Sequence, residues 1–141
     1  MYYTNQPVIA ENQGRKVNII KVTDYGVPDY YDLVIVTNED MIKNNPDVVE
    51  RFLRAITKGY KEAVANPQDA IQLMARAVPE LDTAVANKEI LLEAPIWIAD
   101  NGIFGWQEES RWVSFDQWMK NGGLLTKPVD ARQAFTNSFI E

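Results

Sequence analysis

The sequence predicts an α/β fold that is mostly helical, with two short strands followed by five or six helices. Three observations predict it. Two runs rich in β-branched residues lie in the first third, Val17-Asn18-Ile19-Ile20-Lys21-Val22 and Asp32-Leu33-Val34-Ile35-Val36-Thr37. From Asn45 onward, apolar residues recur at steps of three and four, the period of a helix with one dry face. Asn-Pro pairs, a Ser-x-x-Gln and a Gly-Gly then stand where helices begin and end.

The elements follow in order. The first run comes after the turn pair Gln13-Gly14 and reads as a strand. Asp24-Tyr25-Gly26-Val27-Pro28-Asp29 is a turn-rich connection. The second run, Leu33 to Thr37, is nearly continuous in apolar character and suits a strand buried on both faces. Asn45-Pro46-Asp47 supplies a cap, a proline at the first helical position and an acid in the first turn. Val49, Phe52, Leu53, Ile56, Tyr60, Ala63 and Val64 then share a face, with Glu50/Arg54 and Lys58/Glu62 spaced for pairing on the wet side. Asn66-Pro67-Gln68-Asp69 repeats the start signal, and Ala70, Ile71, Met74, Ala75 and Val78 form a second stripe stopped by Pro79. A third helix runs from about Thr83 to Ala94, where Pro95 ends or kinks it. Ser114-Phe115-Asp116-Gln117 reads as a capping box with Val113 and Trp118 as its staple, and Gly122-Gly123 stops that helix. Pro128 and Val129-Asp130 open a last short helix or turn. Two strands alone make no stable sheet, so the chain needs strands from elsewhere, from a partner or from a longer protein of which it is the tail.

Composition removes whole classes of function. The chain has 141 residues, 46% apolar and 24% charged, as in a folded soluble domain. A net charge of −6 argues against nucleic acid and against an anionic membrane surface. No Cys and no His are present, which excludes thiol nucleophiles, disulfides, iron–sulfur clusters, Ser-His-Asp triads and His-bound metals. Neither a signal peptide nor an apolar run of the roughly 18 residues that a membrane span needs is visible, so no membrane insertion is expected. No catalytic constellation emerges: Glu108-Glu109 are adjacent and do not face each other on a regular element. The chain is therefore not expected to be an enzyme, and no cofactor or metal is expected.

Ordered short motifs carry a resemblance. They are Tyr3-Thr4-Asn5-Gln6-Pro7, Asp24-Tyr25-Gly26-Val27-Pro28, Leu33-Val34-Ile35-Val36-Thr37, Asn45-Pro46-Asp47-Val48-Val49, Phe115-Asp116-Gln117-Trp118-Met119, Gly123-Leu124-Leu125 and Phe135-Thr136-Asn137-Ser138-Phe139-Ile140. Over essentially the whole chain, the series resembles the C-terminal half of thiamin-pyrimidine-precursor solute-binding proteins. These are receptors of ABC importers, together with the fungal pyrimidine-precursor synthases. The resemblance implies part of a two-lobed type II periplasmic-binding-protein architecture about twice this length, with ligand held between the lobes. Residues 1–28 would be the remnant of the second lobe and the crossover, and residues 29–141 the C-terminal part of the first lobe. The front half of that architecture has no counterpart here. The location implied is periplasmic or extracytoplasmic, and an ABC permease is a partner only for a full-length receptor. The synthase-like chemistry needs a histidine, which this chain lacks.

The same resemblance implies ligand contacts from Tyr3 by stacking and from Asn5 and Gln6 by hydrogen bonds. Gln6 stands where an acid is common. Asp24, Tyr25 and Gly26 form the second candidate set: Gly26 permits a positive φ, and Tyr25 offers a flat face with a polar tip. A turn with a packed tyrosine stands as the other reading there. Trp97, Trp106, Trp112 and Trp118 read as core before they read as an aromatic cage. Two functions are expected. One is binding of a small heteroaromatic molecule, a pyrimidine or thiamin precursor. The other is a ligand-free assembly module, with a homodimer or higher oligomer, strand-exchanged in one form, expected in either case.

Overall fold

The computed structural model describes residues 2–99, 101–127 and 129–140. They form α1 (Gln6–Asn12), a 3-10 turn (Val22–Tyr25), α2 (Glu39–Asn44), α3 (Pro46–Ala65), α4 (Pro67–Ala77), α5 (Thr83–Trp97), α6 (Glu109–Asn121) and a second 3-10 turn (Ala131–Gln133). None of the described residues lies in a sheet strand, and the one β-type pairing among them is an isolated antiparallel bridge between Ile98 and Phe104.

The expected α/β class is therefore overturned. Residues 17–21 and 34–37 are irregular, and Val22 already belongs to a 3-10 turn. Strand hydrogen bonds are non-local, so a β-prone run becomes a strand only beside another one. Neither run finds such a neighbour among the described residues. The second run was expected to be buried on both faces; instead Leu33 and Val36 are each 85% exposed.

The helical half follows the local code more closely. The Asn38 side chain accepts the Met41 N–H at 2.7 Å and starts α2, with Glu39 and Asp40 in its first turn. α3 and α4 begin at Pro46 and Pro67, as their Asn-Pro signals predict. On the wet side of α3 the ion pair formed is Asp47–Arg51, at 3.3 Å, rather than the two pairs expected from spacing. Asp82 caps α5 by accepting the Ala84 and Val85 N–H groups at 3.0 and 3.1 Å. α5 then continues past Pro95 to Trp97. α6 starts at Glu109, so Ser114 lies inside the helix and the expected capping box does not form. The helix ends at Gly122, and Gly123 adopts φ +67°, the left-handed geometry a glycine stop uses. Pro128, the start expected for the last element, lies outside the described residues. None of the described helices is long and apolar enough to cross a membrane.

The chain divides into two compact units, Met1–Ile19 with Arg54–Gly105, and Ile20–Leu53 with Trp106–Glu141. In the first, α1 and α4 both pack on α5. Its core is Ile71 of α4 with Ala86 and Ile90 of α5, edged by Ala63, Ala70, Leu81 and Trp97. In the second, α6 packs on the terminal 3-10 turn. Ring stacking organises that unit: Trp112 lies parallel to Phe135 at 5.8 Å, and Phe115 stacks on Tyr30 at 4.6 Å and on Trp118 at 5.7 Å. Arg132 of the terminal turn meets Glu109 of α6 at 2.7 Å, and that hydrogen bond raises the guanidinium pKa above its ordinary value.

Candidate ligand-binding site

The first candidate set sits at the start of α1, in the first unit. Pro7 is tolerated in the first turn, where its missing N–H would have had no helical partner, and both Pro7 and Val8 are buried. Asn5 occupies the N-cap position, yet its side chain makes no cap bond. Its Nδ2 donates instead to Oε1 of Glu89 on α5. Buried Thr4 donates from its hydroxyl to Glu93 Oε1 at 2.9 Å. Glu89 and Glu93 are one helical turn apart on α5, so a single face of that helix holds two consecutive residues of the N-terminal segment. Lys88 adds a bond of 3.3 Å to Asn12 Oδ1. Gln6 is exposed, and its Oε1 accepts the Tyr2 backbone N–H at 2.8 Å. Tyr3 is exposed as well.

Sequence reading singled out Tyr3, Asn5 and Gln6 but passed over Glu89 and Glu93. The available signal was two acids at i,i+4 in a helix otherwise rich in Leu, Ile and Ala. Such a pair on an apolar helix needs donors, and Thr4 and Asn5 supply them.

The second set lies in the other unit. Asp24 and Tyr25 end the Val22–Tyr25 turn, and Gly26 closes it at φ +90°. The Gly26 and Val27 N–H groups both donate to the Val22 carbonyl, the latter at 3.3 Å. A residue with Cβ is strained at that φ, which is why glycine stands there. Tyr25 is 76% exposed, so the turn does not pack its tyrosine. The two tyrosines that follow are engaged. Tyr30 lies on Phe115. The Tyr31 hydroxyl accepts the Glu108 N–H at 2.7 Å, and Arg111 lies 4.6 Å above its ring while pairing with Asp29 at 3.2 Å. A shallow hollow of about 310 Å³ beside them is lined by Pro28, Asp29, Glu108, Ser110, Arg111 and Ser114.

Three of the four tryptophans, Trp97, Trp112 and Trp118, meet other rings. Trp97 meets Tyr60 edge-on at 4.8 Å, Trp112 stacks on Phe135, and Trp118 stacks on Phe115. Trp106 donates its indole N–H to Glu108 at 2.8 Å. All four are half-buried, which is packing rather than an open cage.

Tyr3, Asn5 and Gln6 thus fall in one compact unit and Asp24, Tyr25 and Gly26 in the other. Chemically, the first set offers amide hydrogen-bonding groups anchored by carboxylates. The second offers an exposed aromatic face on a tight turn.

The family sequence model described as NMT1/THI5 like matches residues 1–70. The riboflavin-binding protein RibY of Chloroflexus aurantiacus is 33% identical, over 99% of this chain and 41% of its own length. The formylaminopyrimidine-binding protein of Halalkalibacterium halodurans is 29% identical, over 96% of this chain and 42% of its own length. The chain therefore spans about two fifths of the length of these curated relatives. By its ordered motifs, its match to the family model over residues 1–70 and two relatives aligned along almost all of it, the chain is similar to the NMT1/THI5-like family.

Proposed function

We propose that this chain is part of a solute-binding protein that takes a flat heteroaromatic molecule, a flavin or a substituted pyrimidine, and serves an ABC importer outside the cytoplasm. One observation carries the reading: two relatives named for ligands of that class align with nearly the whole chain. The structure is compatible in detail. Asn5 and Gln6 keep polar atoms accessible on a segment tied to α5, and Tyr25 presents an uncovered ring. Tyr3, Asn5 and Gln6 are the contacts proposed within the first unit; within the second, taken by itself, Asp24, Tyr25 and Gly26 are the proposed contacts. Binding strength comes from removing water between aromatic faces, and orientation from a few placed polar groups. No step of this function makes or breaks a covalent bond. Delivery to a permease belongs to the full-length receptor.

The test is a thermal-shift series with riboflavin, thiamin and a formylaminopyrimidine. A ligand at a hundred times its Kd stabilises by about 2.7 kcal/mol, a rise of roughly 5–10 °C for a chain of this size. No rise with any of the three at millimolar concentration would remove the proposal.

A second reading, a ligand-free assembly module, draws on the exposed apolar run Leu33, Val34, Ile35 and Val36. Sedimentation velocity separates the two: this reading requires a dimer or larger species at micromolar concentration, unaffected by those ligands.

A further inference from the structure

We infer that Glu89 is a positioning residue for ligand recognition: it sets the Asn5 side-chain amide so that Asn5 offers an acceptor, while neighbouring Gln6 offers a donor. This rests on the proposed function and adds the edge chemistry of the ligand. An asparagine amide has two orientations of nearly equal shape that exchange oxygen for nitrogen. An ionised carboxylate only accepts, so Glu89 Oε1 selects the orientation in which Asn5 Nδ2 faces it. Asn5 Oδ1 is then the atom left for another molecule, and among the described residues no donor is bonded to it. Gln6 is set in the opposite sense. A backbone N–H only donates, so the Tyr2 N–H selects Gln6 Oε1, leaving Nε2 without an acceptor among the described residues. Asn5 is half-buried and Gln6 is exposed, so both remaining groups are within reach of solvent.

Consecutive residues thus present one acceptor and one donor. The complementary ligand edge carries an N–H donor beside a ring nitrogen or carbonyl acceptor. The N3–H and flanking carbonyls of a flavin have that pattern, and so do the amino group and ring nitrogen of a 4-aminopyrimidine. Blocking the donor leaves Asn5 Oδ1 unpaired, and a site built on hydrogen bonds rejects such analogues strongly.

The experiment measures Kd for two matched pairs, riboflavin against N3-methylriboflavin and a 4-aminopyrimidine against its 4-dimethylamino analogue. It uses this chain and its Glu89→Gln, Glu89→Ala and Glu93→Gln variants. The folded chain is expected to favour the unblocked member of whichever pair it binds by about tenfold. With a neutral amide or a methyl at position 89, Asn5 is free to turn over, and the preference falls below about threefold. Glu93→Gln keeps an acceptor for Thr4 and is expected to keep the preference. A Glu89 variant with unchanged helical circular dichroism that retains the tenfold preference would overturn this inference while leaving the binding function standing. So would a chain that binds both members of a pair equally. Failure of both unblocked ligands to bind removes the proposed function and this inference with it. Two substitutions at position 89 keep the test decisive if one of them fails to fold.

Discussion

Replacing Ile90 with alanine, beside the same change at Leu91, tests whether α5 is held on one side only. Ile90 is 6% exposed and belongs to the core with Ile71 and Ala86, whereas its neighbour Leu91 is 66% exposed. Ile90→Ala removes three buried carbons at about 0.8 kcal/mol each, and incomplete collapse of the site adds a cavity term. The expected loss is about 3 kcal/mol, or roughly 10 °C in Tm for a chain of this length. Leu91→Ala is expected to cost about 0.5 kcal/mol or less. Both variants keep the helix and gain the same helix-favouring residue, so their difference isolates packing. Urea titration followed by tryptophan fluorescence is a suitable assay, because Trp97 borders this core and reports its loss. Equal losses for the two variants, within 1 kcal/mol, would refute the reasoning, since they would require the Leu91 face to be packed as well as the Ile90 face.

Asp82→Ala removes the acceptor for the Ala84 and Val85 N–H groups and is expected to cost about 1 kcal/mol, measurable in the same urea titration. Thr4→Val keeps the shape but deletes the bond to Glu93, leaving a carboxylate oxygen without its donor. A loss of about 1–2 kcal/mol is expected, with faster amide exchange in α1, and an unchanged exchange pattern would contradict the anchoring role of Thr4. Gly26→Ala forces Cβ onto a residue at φ +90° with nothing within 4 Å of the new atom, so the expected cost of about 1 kcal/mol is purely backbone strain. Leu33→Ser with Val36→Ser, both at 85% exposed positions, is expected to leave Tm within about 2 °C; a fall of 10 °C would mean that the run is sheltered after all.

Three helix boundaries are set by residues close to them in sequence. Asn45-Pro46 and Asn66-Pro67 start α3 and α4, and Gly122-Gly123 stops α6, because capping, fixed φ and positive φ act within a turn of the helix. The motifs also nominate Tyr3, Asn5, Gln6, Asp24, Tyr25 and Gly26 as candidate contacts. What each side chain bonds to was not identifiable in that way. Asn5 meets Glu89 across 84 positions, and Thr4 meets Glu93 across 89. The missing strands have the same origin. Val17 to Val22 and Leu33 to Thr37 carry every local mark of β structure, but a strand's hydrogen bonds leave the segment that makes them, so only a neighbour in space can turn the tendency into a ladder. The Ser114 signal failed for the complementary reason: a helix that has already begun at Glu109 satisfies those backbone groups internally, and a cap in its middle has no free N–H to serve.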